Sequence, residues 1–364
     1  MGWAEMVESI KSMPATISYN VKDLRKAVRD ANDSAKILLV VGYAGLIALI
    51  IGSLSGITIN SLLPNPNYAA YFLYSLQIVI VLDMGYMLVE AIVKENEFQL
   101  AAFLLQSLFM VIVTGYQMAP AVRGIIFKPN YVIILGLCVT SFLPFLIAVA
   151  LFISFLGLSI PVFQSFGWKI FKHVGSNPKL NSAYRLYSIY VAMNKLDNFL
   201  VICVLVTNSF FLYFKQIGGY VGFALLFALS LAIPNLNIRI VVKKEIYSLH
   251  ILFLLWSFAM PIFLLWRVID MFITKDRIRF PANVPIFSNL SVIDPYLEVK
   301  IMMSIIIIIA ILFRLSVIGV GIAATVNFRH GLQSVFLKQK ERRRRMQKDP
   351  TSLENFLMPE VVNE

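Results

Sequence analysis

The chain has 364 residues, of which 59% are hydrophobic and 14% charged, with a formal net charge of +12. A water-soluble domain is about half apolar and a quarter charged, so this composition argues against one soluble core and for several bilayer spans of about 20 apolar residues each. The two cysteines, Cys138 and Cys203, fall inside apolar runs and read as small buried hydrophobes, not as a disulfide or a metal site.

Residues 1–36 are mixed in charge and lack the short apolar region and small-residue cleavage site of a signal peptide. Met6 stands where a myristoylation signal carries Ser or Thr. This segment reads as cytoplasmic, ahead of an internal anchor. Eight apolar runs then follow, at about 37–60, 69–93, 98–119, 132–158, 186–214, 218–241, 246–273 and 299–327. The fold class is therefore all-α, a polytopic transmembrane helical bundle of about eight spans, with seven as the alternative. Strands are excluded because an open sheet leaves backbone groups unpaired in lipid.

In the first run Ala44, Ala48, Gly52 and Gly56 recur every four residues. That spacing aligns small side chains on one face, for tight internal packing or a dimer seam. The second run carries Asp83 near its centre and Glu90 two turns on, which puts both carboxylates on one face. Pro144, Pro234 and Pro261 fall within runs four, six and seven. Each removes a backbone donor and is expected to kink its helix.

Between runs four and five, Phe163, Phe166, Ile170, Phe171 and Val174 keep a helical period beside Lys169, Lys172 and His173. This predicts a helix lying in the inner interface, with Lys169 and Lys172 at lipid headgroups and Trp168 in the aromatic belt. Gly175 and Pro178 end it. Run five then carries Lys195 and Asp197 towards its inner end. Two residues apart, they point to different sides and are not a pair; Lys195 can snorkel to water. Run seven holds His250 near its inner end, which reads as an interfacial residue in preference to a proton relay. Arg267 and Asp270, three apart near its outer end, can pair along one face.

The last run, "IMMSIIIIIAILFRLSVIGVGIAATV", has Arg314 in its middle. A guanidinium does not discharge by losing its proton, so it needs a partner or water. Asp83, at similar depth in run two, is the most economical partner. Such a pair either fixes helix arrangement or belongs to an ion or proton path. After the run, Phe328, Leu332, Val335 and Phe336 precede a basic block at Arg342, Arg343, Arg344 and Arg345. An apolar stripe with a basic block suits a helix on an anionic leaflet. Beyond Asp349 the tail turns acidic.

Lys and Arg dominate both ends, which places both termini inside and requires an even number of spans. Asn289, in an N-x-[S/T] sequon, then lies in the longest outer loop as a glycosylation site; the other sequon, at Asn32, is cytoplasmic. The chain divides into a cytoplasmic segment (1–36), a membrane domain (37–327) and a cytoplasmic tail (328–364).

The loop before run five has Phe166, Gly167, Trp168 and Lys169, then Gly175, then Tyr184 and Arg185, then Lys195 and Asp197. A second patch, "NFRHGL" at 327–332, follows the final run. In these features, which cover about a tenth of the chain, the sequence resembles a group of fungal multi-pass membrane proteins. Arg329 stands where that group's second patch has Gly. The resemblance implies topology and a fungal-type origin, and no activity.

There is no phosphate-binding glycine loop, no dinucleotide pattern and no H-E-x-x-H or G-x-S-x-G. Histidines number three. No enzyme, cofactor or metal is expected. The reading is a non-enzymatic membrane sensor or scaffold with a basic cytoplasmic face. Its expected partners are anionic lipids and a second copy or another membrane protein, not nucleic acid. The alternative is a transporter or channel using the polar residues of spans two, five and eight. Plasma membrane and endomembrane stay equally open.

Overall fold

The computed structural model describes residues 32–62, 68–127, 136, 138–174, 178–212, 218–242, 245–273 and 297–326. All the long elements among them are helices. They are α1 (Asp33–Leu62), α2 (Tyr68–Lys94), α3 (Glu97–Phe127), α4 (Leu143–Val174), α5 (Pro178–Leu212), α6 (Gly218–Leu236), α7 (Tyr247–Ser257), α8 (Ala259–Ile273) and α9 (Leu297–Val326). Two π-helical segments, Cys138–Phe142 and Asn237–Val242, lead into α4 and continue α6. Among the described residues seven helices are long and apolar enough to cross a membrane. The remaining apolar run is helical too, as α6 and its π segment. The chain is an all-α, multi-pass membrane protein.

Each of the three prolines stands near a departure from α-helical geometry. A proline cannot bond the carbonyl four residues back and its ring crowds that carbonyl. Pro144 lies two residues beyond the first π segment, and Pro234 three residues before the second. Pro261 stands just beyond the break at Phe258 that divides run seven into α7 and α8. Pro161, by contrast, lies inside an unbroken α4. That overturns one expectation: the stretch from Phe163 to Val174 is not a separate interfacial helix but the C-terminal end of α4. At 1.5 Å per residue, 32 residues span about 48 Å, well beyond a hydrocarbon core of about 30 Å, so one helix supplies both a span and an amphipathic extension.

Two tight connections share one construction. Glu95 and Glu245 have φ of 51° and 53°, in the left-handed region. At each, two amides reach back to orphan carbonyls: Glu95 N to Ile92 O and Asn96 N to Ala91 O, Glu245 N to Val242 O and Ile246 N to Val241 O. These are Schellman ends, each with a glutamate where glycine is usual. Asn96 then caps α3, its Oδ1 accepting from Phe98 N at 3.0 Å.

The chain forms two compact units, divided at residues 59/60, 76/77 and 169/170. In the first, α1 buries Ala35, Leu38, Leu46, Leu49 and Ser53. Its tightest approaches are at Gly42, where a Cβ would run into Leu88, and Gly45, where it would run into Leu151. The close-packed face is thus set by Gly42 and Gly45. The expected stripe is only partly buried: Ala44 is exposed, Gly52 meets Pro144 and Gly56 is buried. On the opposite side Val40, Ile47, Ile51 and Leu54 are exposed, as a lipid-facing surface requires.

In the second unit α9 packs on α5, α7 and α8. Tyr190, Ile238, Val242 and Val317 form a buried cluster, flanked by Tyr187, Met193 and Phe313. This cluster borders the polar groups described next.

Candidate functional site, a polar core between α5, α6, α7 and α9

On α5, Tyr190, Asn194 and Asp197 stand four and three residues apart and share a buried face. On α9, Arg314 and Gly321 are two turns apart on one face. Arg314 Nη2 lies 3.0 Å from Asp197 Oδ2. The guanidinium is 2% exposed and the carboxylate 1%, so the two charges neutralise each other out of contact with the outside. The contact is an ion pair and not an aligned hydrogen bond, since neither carboxylate oxygen accepts one among the described residues. Ser230 Oγ, on α6, is 3.5 Å from Nη2.

A cavity of about 40 Å³ adjoins Arg314 and Ser230, lined further by Pro234, Trp256, Ser257, Ala259 and Met260. That is room for one to about three waters. It does not suit a small organic ligand, whose pockets run to about 300 Å³ and more.

A second set of polar groups lies beside the pair. His250, the fourth residue of α7, is fully buried. Its Nδ1 is 2.8 Å from Asn237 Oδ1 and its Nε2 3.1 Å from the Gly321 carbonyl. Asn237 Nδ2 donates to the Tyr190 hydroxyl at 3.1 Å. The Tyr190 and His250 rings meet edge-on, with centroids 6.0 Å apart. One turn along α5, Asn194 Nδ2 donates to Asn235 Oδ1 at 3.3 Å.

The expected partner of Arg314 is therefore corrected: Asp197, not Asp83, holds it. Asp83 is half-buried and accepts from Gln106 Nε2 at 2.6 Å. Glu90 is buried and pairs with Lys94 one turn on. Lys195 does not snorkel as expected, since its Nζ is buried; Arg267 is buried, and the Asp270 side chain lies outside the described residues. His250 is corrected as well, from interfacial residue to core residue. The side chains of Lys169 and Lys172, and all of Asn289, Arg342, Arg343, Arg344 and Arg345, lie outside the described residues too.

Attention to charge alone missed the neutral polar residues. In the first unit Gln77 on α2 and Gln99, Gln106 and Gln117 on α3 are all buried. The amides of Gln77, Gln99 and Gln117 have no hydrogen-bond partner among the described residues. On α3 the spacings of seven and eleven residues are two and three turns, a signal that was available in the sequence. Among the described residues no group of three or more His, Cys, Asp or Glu could hold a metal ion.

No family model matches the chain, and no solved structure does. Among curated proteins, the chain is 22% identical over 170 residues to a UPF0658 Golgi apparatus membrane protein of Schizosaccharomyces pombe. The match covers 47% of this chain and 43% of that protein, so the chain spans less than half of the relative's length. The similarity bears out the resemblance to fungal membrane proteins, and the relative's description carries no activity.

Proposed function

We propose that this chain is a non-enzymatic protein of an endomembrane, a multi-pass sensor or scaffold and not a conductor. The observation that carries this reading is the buried ion pair of the polar core. Its two deepest charges, Arg314 and Asp197, neutralise each other at 2% and 1% exposure, beside a cavity of about 40 Å³. A solute path needs polar groups that exchange partners with a passing ion or water. A buried, mutually neutralised ion pair held by packed helices suits a structural fixture better. The Golgi description of the fission-yeast relative supports an endomembrane. The basic inner face expected from Lys169, Lys172 and Arg342 to Arg345 would bind anionic lipid headgroups or a cytoplasmic partner.

A second reading, a transporter or channel, draws on the first unit. Counted from the α2–α3 connection, Glu90 and Gln99, Asp83 and Gln106, and Gln77 and Gln117 stand at three successive depths. Orphan buried amides at two of these levels favour bound water there. Flux decides between the readings. Protein reconstituted in liposomes with pH- and ion-sensitive dyes should leak no faster than protein-free liposomes. Flux that depends on the protein and is lost in Asp83→Asn or Gln106→Leu would overturn the scaffold reading in favour of the second.

A further inference from the structure

We infer that His250 is an intramembrane proton-binding site whose occupancy is relayed by the Asn237 amide to the Tyr190 hydroxyl. The inference rests on the sensor reading above and names its signal as the proton.

The hydrogen bonds carry it. Gly321 O is an acceptor only, and it also accepts from Thr325 Oγ1 at 2.9 Å. His250 Nε2 must therefore always bear a hydrogen. That fixes the neutral tautomer and leaves Nδ1 as the atom that gains or loses a proton. Nδ1 faces Asn237 Oδ1 at 2.8 Å, and a carbonyl oxygen needs a donor. With both ring nitrogens on acceptors, this arrangement is satisfied by the imidazolium. Asn237 Nδ2 then donates to Tyr190 Oη.

The Asn237 amide has a second orientation of the same shape. Turned by 180°, its Nδ2 donates to a neutral Nδ1 and its Oδ1 accepts from the Tyr190 hydroxyl. In this state Nδ1, the Asn237 amide and the Tyr190 hydrogen are all satisfied. The two states differ by one proton, taken from water onto Nδ1, and by the direction of the bond at Tyr190. In the protonated state the Tyr190 hydrogen is released to seek another acceptor; in the neutral state it is held by Asn237. Tyr190 lies on α5 two turns before Asp197, so the relay ends on the helix that holds the ion pair.

The surroundings restrain the site. Facing it from α5 are Tyr190 and, farther along, Asp197. From α9 comes Arg314, two turns before Gly321. The π segment contributes Asn237 and α6 contributes Ser230, both neutral; the Arg239 side chain lies outside the described residues. On α8 Arg267 lies seventeen residues on from His250, near the other end of run seven. Burying a cation costs energy, and acceptors at both ring nitrogens offset part of that cost.

The test is the histidine side-chain nitrogen spectrum of the full chain in lipid nanodiscs, in a His173→Gln, His330→Gln background so that His250 reports alone. The expected result is a neutral form with hydrogen on Nε2 that converts to imidazolium as pH falls. Asn237→Asp, which can only accept at Nδ1, should raise the midpoint by at least one unit, a tenfold gain in proton affinity. A neutral form with hydrogen on Nδ1, or no conversion between about pH 4 and 9, overturns the inference, as does an unmoved midpoint in folded Asn237→Asp. If that variant does not fold, the parent titration alone decides. Flux in liposomes would sink the non-transporting reading and leave this titration standing; a silent His250 would do the reverse.

Discussion

Arg314 is the residue whose chemistry was easiest to foresee and whose partner was not. A guanidinium in the middle of an apolar run demanded a counter-charge, and Asp83 matched it in depth. Asp197 looked too close to an end because run five was started at residue 186. The helix begins at Pro178, which makes Asp197 the twentieth of 35 residues, while Arg314 is the eighteenth of 30. Polar residues at the start of α5, "PKLNSAYR", hid its first two turns from a reading based on hydropathy. Removing one side of a buried pair strands the other, at a cost of about 3–5 kcal/mol. Asp197→Asn should therefore lower the melting temperature of the purified protein sharply, and Asp83→Asn much less. Adding Arg314→Met to Asp197→Leu should restore most of the loss, because two apolar side chains strand nothing. Equal damage from Asp83→Asn and Asp197→Asn would show that the guanidinium does not depend on Asp197.

Helices were legible one by one, since each apolar run became a helix or a pair of helices. Their ends were less so. The apolar period from Phe163 to Val174 suggested a separate helix where α4 runs on unbroken, and glutamates at two Schellman ends gave no glycine to read. Packing faces were read one residue out of register. Small residues every four positions pointed to Ala44 and Ala48, but the buried line of α1 runs through Leu38, Gly42, Leu46 and Leu49. A helix turns through 100° per residue, so an error of one or two positions exchanges the protein-facing side for the lipid-facing one. The consequence is measurable. Gly45→Leu, forced into the Leu151 side chain, should destabilise by about 1–3 kcal/mol. Ala44→Leu, on the exposed side, should change stability by less than about 0.5 kcal/mol. Thermal unfolding of the two variants side by side distinguishes the registers, and the reverse ranking would reinstate the original stripe.

At the scale of the whole molecule, composition alone established a multi-pass helical membrane protein, because only closed backbone hydrogen bonding survives in lipid. The polar core was not legible, since its members come from four helices spread between Tyr190 and Thr325 and most of them carry no charge. Asn237 and Ser230 have no sequence signature; they matter only because folding brings them to His250 and Arg314. What the core does depends on whether it is closed to water. Ser230→Cys, beside Arg314 and the cavity, reports on this directly in a Cys138→Ser, Cys203→Ala background. A sealed core predicts that a charged, membrane-impermeant thiol reagent applied to either face of sealed vesicles leaves this cysteine unmodified, while denatured protein reacts fully. Rapid modification from either face of the folded protein would contradict the sealed core and the sensor or scaffold reading built on it.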